Sequence, residues 1–232
     1  MKLSPKDIAS MIDISAVQAS HGETEILELV KHAKEYGFIA VHALPCWTRY
    51  LHELLSDRED ILVGGPVGFP SGAHKTEFKI LEAKQLIADG AQEVDVMMNI
   101  GMLRSGKDAY VKDEIKALVE VAETIPAKVI LEVYYLTPDE IKRACDYCIS
   151  AGAAFVKTGT GWAPGGATRE IIALITSHVG DAIQVKASGG VRRLDTLIEM
   201  YKMGVRRFGI NAQASINIIQ ECRKLPGGLL TI

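Results

Sequence analysis

Short apolar runs alternate along the chain with longer segments whose apolar residues recur at helical spacing. The segment Glu23 to Tyr36 places Ile26, Leu27, Val30 and Ala33 on its apolar side and stops at Gly37, a glycine signal for a helix C-terminus. The same spacing predicts a short opening helix from Ser4 with Pro5 in its first turn, then helices Trp47–Leu55, Lys75–Asp89, Tyr110–Glu123, Pro138–Ala151, Thr168–Val179, Leu194–Met203 and Ala212–Cys222. Between them lie runs that read as strands: Ser10–Ser15, Ile39–Leu44, Ile61–Val63 continuing toward Pro70, Glu93–Met97, Lys128–Glu132, the run ending at Lys157, the run through Lys186, and Arg206–Ile210.

Each strand is followed by a helix, and the strands are short, apolar and bordered by glycine, as parallel strands covered on both faces are. The pattern predicts an α/β fold, a single (β/α)8 TIM barrel spanning residues 1–232 as one catalytic domain. Weak internal repetition agrees, because Gly37, Gly90, Gly152 and Gly204 each close a helix a few residues ahead of a strand. A doubly wound dinucleotide fold is disfavoured, since no Gly-x-Gly-x-x-Gly follows the first strand.

Composition narrows the partners. With 48% apolar residues the chain can bury a large core, and a net charge of −3 with no basic cluster argues against nucleic acid and for a small molecule. The N-terminus lacks the apolar stretch of a signal peptide and no run is long enough to span a bilayer, so a cytoplasmic protein without membrane contact is expected. Cys145-x-x-Cys148 has zinc spacing but sits in a helical pattern with no second pair, so no metal site is expected.

The chemistry-bearing positions gather at predicted strand ends, where barrels of this class build their sites: Asp13, Ser15, His42, Asp95, Asn99, Glu132, Lys157 and Lys186. The first lysine ends an apolar run that breaks into Thr158-Gly159-Thr160-Gly161, and the second precedes Ala187-Ser188-Gly189-Gly190. A free lysine, with a pKa of about 10.4, is almost wholly protonated at neutral pH, but desolvation or a neighbouring cation frees its lone pair. Two lysines on adjacent strands supply that neighbour, and Asp95, flanked by Val94 and Val96, points inward to pair with them and exchange protons. The set amounts to a Schiff-base site with Lys157 as nucleophile. A structural ion pair is the competing reading for Asp95, and it is the preferred one for Lys128 with Glu132. Gly189, Gly190 and the helix start after Gly209 present backbone N–H groups near the mouth, where barrels often bind phosphate.

At these residues the sequence resembles the deoxyribose-phosphate aldolase family of class I aldolases. The matching segments are Val67-Gly68-Phe69-Pro70 with Gly72-Ala73, Glu93 to Gly101, Lys128 to Glu132, Gly152 to Thr158 with Thr160-Gly161, and Val185 to Arg192. The resemblance implies that Lys157 forms the imine, that Lys186 depresses its pKa, and that Asp95 relays protons through water. It implies reversible cleavage of 2-deoxy-D-ribose 5-phosphate to acetaldehyde and D-glyceraldehyde 3-phosphate, with no metal and no cofactor, by a homo-oligomer, a dimer being expected. Substrate would meet Ser15, Thr158, Thr160, Gly161, Gly189, Gly190, Gly209 and Asn211. The chain departs from the family in four places: Gly159 stands for a usual serine, His42 for a frequent cysteine, Ser15 for a common threonine, and Asn211 with Ala212 for a phosphate-holding serine pair. Two alternatives follow: a Schiff-base aldolase of the same build for a different or unphosphorylated aldehyde pair, and a sugar-phosphate-binding barrel without catalysis.

Overall fold

A computed structural model describes residues 2–231. Eight parallel strands close a barrel in sequence order: β1 (Ile12–Ala16), β2 (Ala40–Ala43), β3 (Leu62–Val67), β4 (Glu93–Met97), β5 (Ala127–Ile130), β6 (Phe155–Lys157), β7 (Gln184–Ser188) and β8 (Arg207–Asn211). The last strand pairs with the first, Asp13 standing opposite Gly209. Helices follow as the periodicity predicts, and the (β/α)8 barrel is the observed fold. Thr137 and Glu140 form a capping box around Pro138 at the start of Pro138–Ala151, and that helix ends on Gly152, whose φ of 76° is the left-handed turn that glycine adopts without strain.

Some boundaries differ from the expectation, each for a local reason. The first strand starts at Ile12 because Ser10 still belongs to the end of the helix Pro5–Ala9. The fifth strand ends at Ile130 because Glu132 takes a left-handed conformation, φ 53° and ψ 60°, uncommon for a residue with a side chain. A short helix, Ile100–Arg104, capped by the Asn99 side chain, precedes Asp108–Ala122. Lys2–Leu3 and Leu230–Thr231 pair in a two-stranded antiparallel sheet that joins the two ends of the chain.

Side chains alternate across each strand. Outward positions such as Ile12, Ile14, Val41, Val129, Val156, Val185 and Phe208 pack against helix residues including Ile26, Leu29, Ile115, Ile141 and Ile172, so the apolar core is the layer between barrel and helices. The inward positions are different in kind. Asp13, Glu93, Asp95, Lys128, Lys186 and Arg207 are all buried, and they join one another inside the barrel. A buried charge is tolerated when it is paired, and here every one is.

Candidate active site

The strand register sets Lys157 beside Lys186 and Asp95 beside Lys128. Across the barrel these side chains meet. Asp95 Oδ2 lies 2.7 Å from Lys157 Nζ and 2.7 Å from Lys186 Nζ, so one carboxylate oxygen holds both ammonium groups. Lys186 is held again by Asp13 at 2.5 Å. Asp13 also takes Arg207 Nε at 2.5 Å, and Arg207 reaches Glu93 at 2.7 Å, while Lys128 pairs closely with Glu93 and stands 3.5 Å from both Asp13 and Asp95. Three carboxylates thus face four basic side chains in the barrel interior, Lys157 and Arg207 being its more open members.

Burial and these close pairings together set the site's electrostatics. Asp13 and Asp95 are held well below the usual carboxylate range, because the cations around them outweigh the cost of burying their charge. The Glu93 carboxyl is brought down to about 2 in the same way, Lys128 and His42 together outweighing both burial and the repulsion of Asp13. Lys186 is pushed above the ordinary lysine value, Asp13 and Asp95 overcoming its desolvation. Lys157 goes the other way: burial disfavours its charged form, Asp95 opposes that, and the Lys186 charge adds to it. Of the two lysines on Asp95, the one driven toward the neutral amine is also the more open, 8% exposed against 1% for Lys186.

Lys157 opens into a cavity lined by Ser15, Val17, His42, Pro66, Phe69 and Thr160, with Asp13, Asp95, Lys186, Ser188 and Gly209 on its floor and walls. It continues into a shallower basin bordered by Gly161, Gly189, Gly190, Arg192 and Asn211, which shares Ser15, Val17, Thr160, Ser188 and Gly209 with it. The sequence-predicted residues Lys157, Lys186, Asp95, Ser15, Thr160, Gly161, Gly189, Gly190, Gly209 and Asn211 therefore converge on one continuous hollow. Thr158 stands apart from it. Its hydroxyl donates to the Ser188 carbonyl at 2.7 Å and accepts from the Ser188 N–H at 2.8 Å, a bridge from the end of β6 to β7 that spends its one donor, and the fully buried residue lines neither the cavity nor the basin. Asn211 caps the helix Ala212–Arg223, its Oδ1 accepting from the Ala214 N–H at 2.9 Å, which leaves its amide N–H groups as the side chain's donors.

The expected pairing of Lys128 with Glu132 gives way to a different one. Lys128 enters the central network, and Glu132, at the mouth, binds the loop after β6 through the N–H and hydroxyl of Thr160. Asn99 serves as a helix cap outside the hollow. The sequence reading missed Glu93 and Arg207. The alternation Glu93-Val94-Asp95-Val96 is the signal that could have found the first, since it places both acids on one face.

His42 occupies the barrel floor with Nε2 3.0 Å from Glu93 and 3.5 Å from Asp13, so that nitrogen carries a proton and Nδ1 faces Asp95 at 4.0 Å. It fits because the neighbouring strand has Gly64 there: a Cβ at that position would lie 1.9 Å from the imidazole. Asp13, His42 and Glu93 bring ligand-type atoms within 4.8 Å of one another. Both carboxylates are already bound by Lys128 and Arg207, and a dication between them would have to displace those charges.

A closed eight-stranded barrel of this build is shared with solved aldolases. The structure described as "QR15, an Aldolase" superposes with a TM-score of 0.86 at 39% identity, covering 93% of this chain and 95% of that one. A deoxyribose phosphate aldolase from Aeropyrum pernix, described as a unique tetramer, superposes with a TM-score of 0.87 at 27% identity, covering 96% and 94%. Fold and likeness define the class as a barrel aldolase. The family model described as DeoC/LacD family aldolase matches residues 13–210, and the chain belongs to that family. Among curated relatives, the deoxyribose-phosphate aldolase of Sinorhizobium medicae is 50% identical over 230 residues, 99% of this chain and 93% of its own length. That of Klebsiella pneumoniae is 44% identical, covering 94% and 88%.

Proposed function

We propose that this aldolase cleaves 2-deoxy-D-ribose 5-phosphate reversibly into acetaldehyde and D-glyceraldehyde 3-phosphate, through an imine on Lys157. The observation that carries the reading is the single Asp95 oxygen shared by two lysines, one of them driven toward the neutral amine at the foot of the hollow. Neutral Lys157 adds to the aldehyde carbon of the open-chain sugar. Loss of water gives a protonated imine, whose positive nitrogen is the electron sink for the next step. Deprotonation of the C3 hydroxyl breaks the C2–C3 bond, the electron pair moves into the imine as an enamine, and glyceraldehyde 3-phosphate leaves. Protonation at C2 and hydrolysis release acetaldehyde and the amine.

Each proton transfer needs an acid or base at the same spot, and Asp95 is the group placed for it, acting through water. Its low pKa makes it a weak base, so it shuttles protons rather than storing them. Lys186 stays cationic and disfavours a second charge on Lys157. The phosphate would lie in the basin of Gly161, Gly189, Gly190 and Asn211, at the N-terminus of the helix Ala212–Arg223, where unpaired N–H groups and the helix dipole favour an anion. Ser15 and Thr160 stand where the cavity and the basin meet; the Ser15 hydroxyl would meet the sugar hydroxyls, while the Thr160 hydroxyl is held by Glu132 and borders the site.

Among the described residues no helix is long and apolar enough to cross a membrane, and we place the enzyme in the cytoplasm. We further propose a homodimer, on the support of Phe78 and Leu81, which stand 59% and 61% exposed one turn apart on the helix Thr76–Ala88. The test of the substrate is a comparison of kcat/KM for deoxyribose 5-phosphate and free deoxyribose. The phosphorylated sugar is expected to be preferred. Preference for the free sugar would favour the reading in which the same lysine chemistry serves an unphosphorylated aldehyde pair.

A further inference from the structure

We propose that the strap Thr158–Trp162 sets the length of unphosphorylated acceptor aldehyde that can reach the enamine on Lys157, with Glu132 anchoring it from inside and Trp162 from outside. The inference rests on the lysine imine reading and adds to it a specificity-determining element.

The inner anchor is Glu132. It is buried, it sits in the left-handed region, and its two carboxylate oxygens each accept from the Thr160 N–H at 3.2 Å while the Thr160 hydroxyl donates to Oε2. Gly159 makes this possible by close approach: a Cβ there would stand 2.6 Å from Glu132 Oε1. A carboxylate that is almost wholly enclosed and aimed at one loop defines where that loop sits.

The outer anchor continues from the same threonine. Thr160 Oγ1 accepts from the Trp162 N–H at 2.9 Å, the indole Nε1–H donates to the Val17 carbonyl at 2.9 Å, and the ring meets Phe69 edge to face with centroids 6.0 Å apart. Val17 follows β1, Phe69 follows β3 and Trp162 follows β6, so three loops are joined across the mouth. Val17, Phe69 and Thr160 line the cavity that holds Lys157. Trp162 itself is 42% exposed and its one polar side-chain atom is engaged, so its inner edge supports an apolar roof while its outer face meets water. A roof of this kind leaves a phosphorylated acceptor its path into the basin, and it meets the apolar tail of a longer unphosphorylated aldehyde, which has no charged group to draw it there.

The test is aldol addition of acetaldehyde to propanal and to hexanal by the full chain, its Trp162→Ala and Trp162→Phe forms, and Glu132→Gln, with borohydride trapping of acetaldehyde on Lys157 measured in parallel. Trp162→Ala is expected to retain trapping and to raise the hexanal to propanal ratio of kcat/KM by about tenfold, a shift of the size that pocket contacts with one or two methylenes produce. The change should appear mainly in KM for hexanal. Trp162→Phe, which keeps an aromatic edge for Phe69 and loses the bond to Val17, should move the ratio less. Glu132→Gln, which cannot accept from the Thr160 hydroxyl on its amide nitrogen, should move it in the same direction. An unchanged ratio in Trp162→Ala and Trp162→Phe, with trapping intact, overturns the strap as a length filter. Absence of trapping in the unaltered enzyme would instead overturn the imine reading.

Discussion

Replacing Lys186 by Met removes one charge from beside the proposed nucleophile and leaves the shape of the barrel floor nearly unchanged. Each ammonium nitrogen lies 2.7 Å from the same Asp95 oxygen, so the Lys157 and Lys186 nitrogens are at most twice that distance apart, about 5.4 Å. At an effective dielectric of about 20, two like charges at that distance repel by roughly 3 kcal/mol, or about two pKa units. Losing Lys186 also leaves Asp95 with one fewer cation, which strengthens its pull on Lys157 in the same direction. The Lys157 pKa should therefore rise, and the rate of imine formation should move to higher pH by about two units, with kcat at neutral pH reduced. The assay is the pH dependence of borohydride trapping with acetaldehyde, which reads the nucleophile without needing turnover; circular dichroism checks that the variant is folded. A trapping profile with its midpoint unmoved would rule out Lys186 as the tuning charge and leave desolvation alone as the cause of the lowered pKa.

Two further predictions follow from the site. Asn211→Ser with Ala212→Ser supplies hydroxyl donors at the basin while serine keeps the helix cap; at roughly 1.5–3 kcal/mol per bond to a charged group, kcat/KM for deoxyribose 5-phosphate should rise about ten- to a hundredfold relative to free deoxyribose, and an unchanged ratio would refute the placement of the phosphate. The carboxyls of Asp13, Glu93 and Asp95 have folded-state pKa values below their unfolded ones, so their stabilisation is complete above about pH 4.5 and is lost as the pH falls through the folded values; for Glu93, lowered to about 2, the loss is roughly 3 kcal/mol. Urea midpoints should be level from pH 7 to 5 and drop steeply between about 4 and 2, and a midpoint at pH 3 equal to that at pH 7 would contradict the paired interior.

How much of this was legible beforehand depended on whether a feature is local. Asp95 could be placed inside the barrel because Val94 and Val96 flank it, and Lys157 at a strand end because turn residues follow it. Helix ends at Gly37 and Gly152 were readable for the same reason. The network around Asp13 was not, since Arg207 reaches it across 194 positions and Glu93 joins His42 across 51. Thr158 and Thr160 look alike in sequence, yet one hydroxyl bridges to Ser188 on β7 while the other is held by Glu132 at the border of the cavity, and those partners come from other loops and strands. The left-handed turn at Glu132 has no sequence signal of its own, because the bonds that hold it come from Thr160 on the next loop.

Lys157, and not Lys186, is the proposed carrier of the substrate. The enzyme is incubated with acetaldehyde, reduced with borohydride and digested, and the adduct is located by peptide mass spectrometry. A two-carbon adduct is expected on the peptide containing Lys157, formed faster as the pH rises toward the lowered pKa of that amine. An adduct on Lys186, or none, would contradict it.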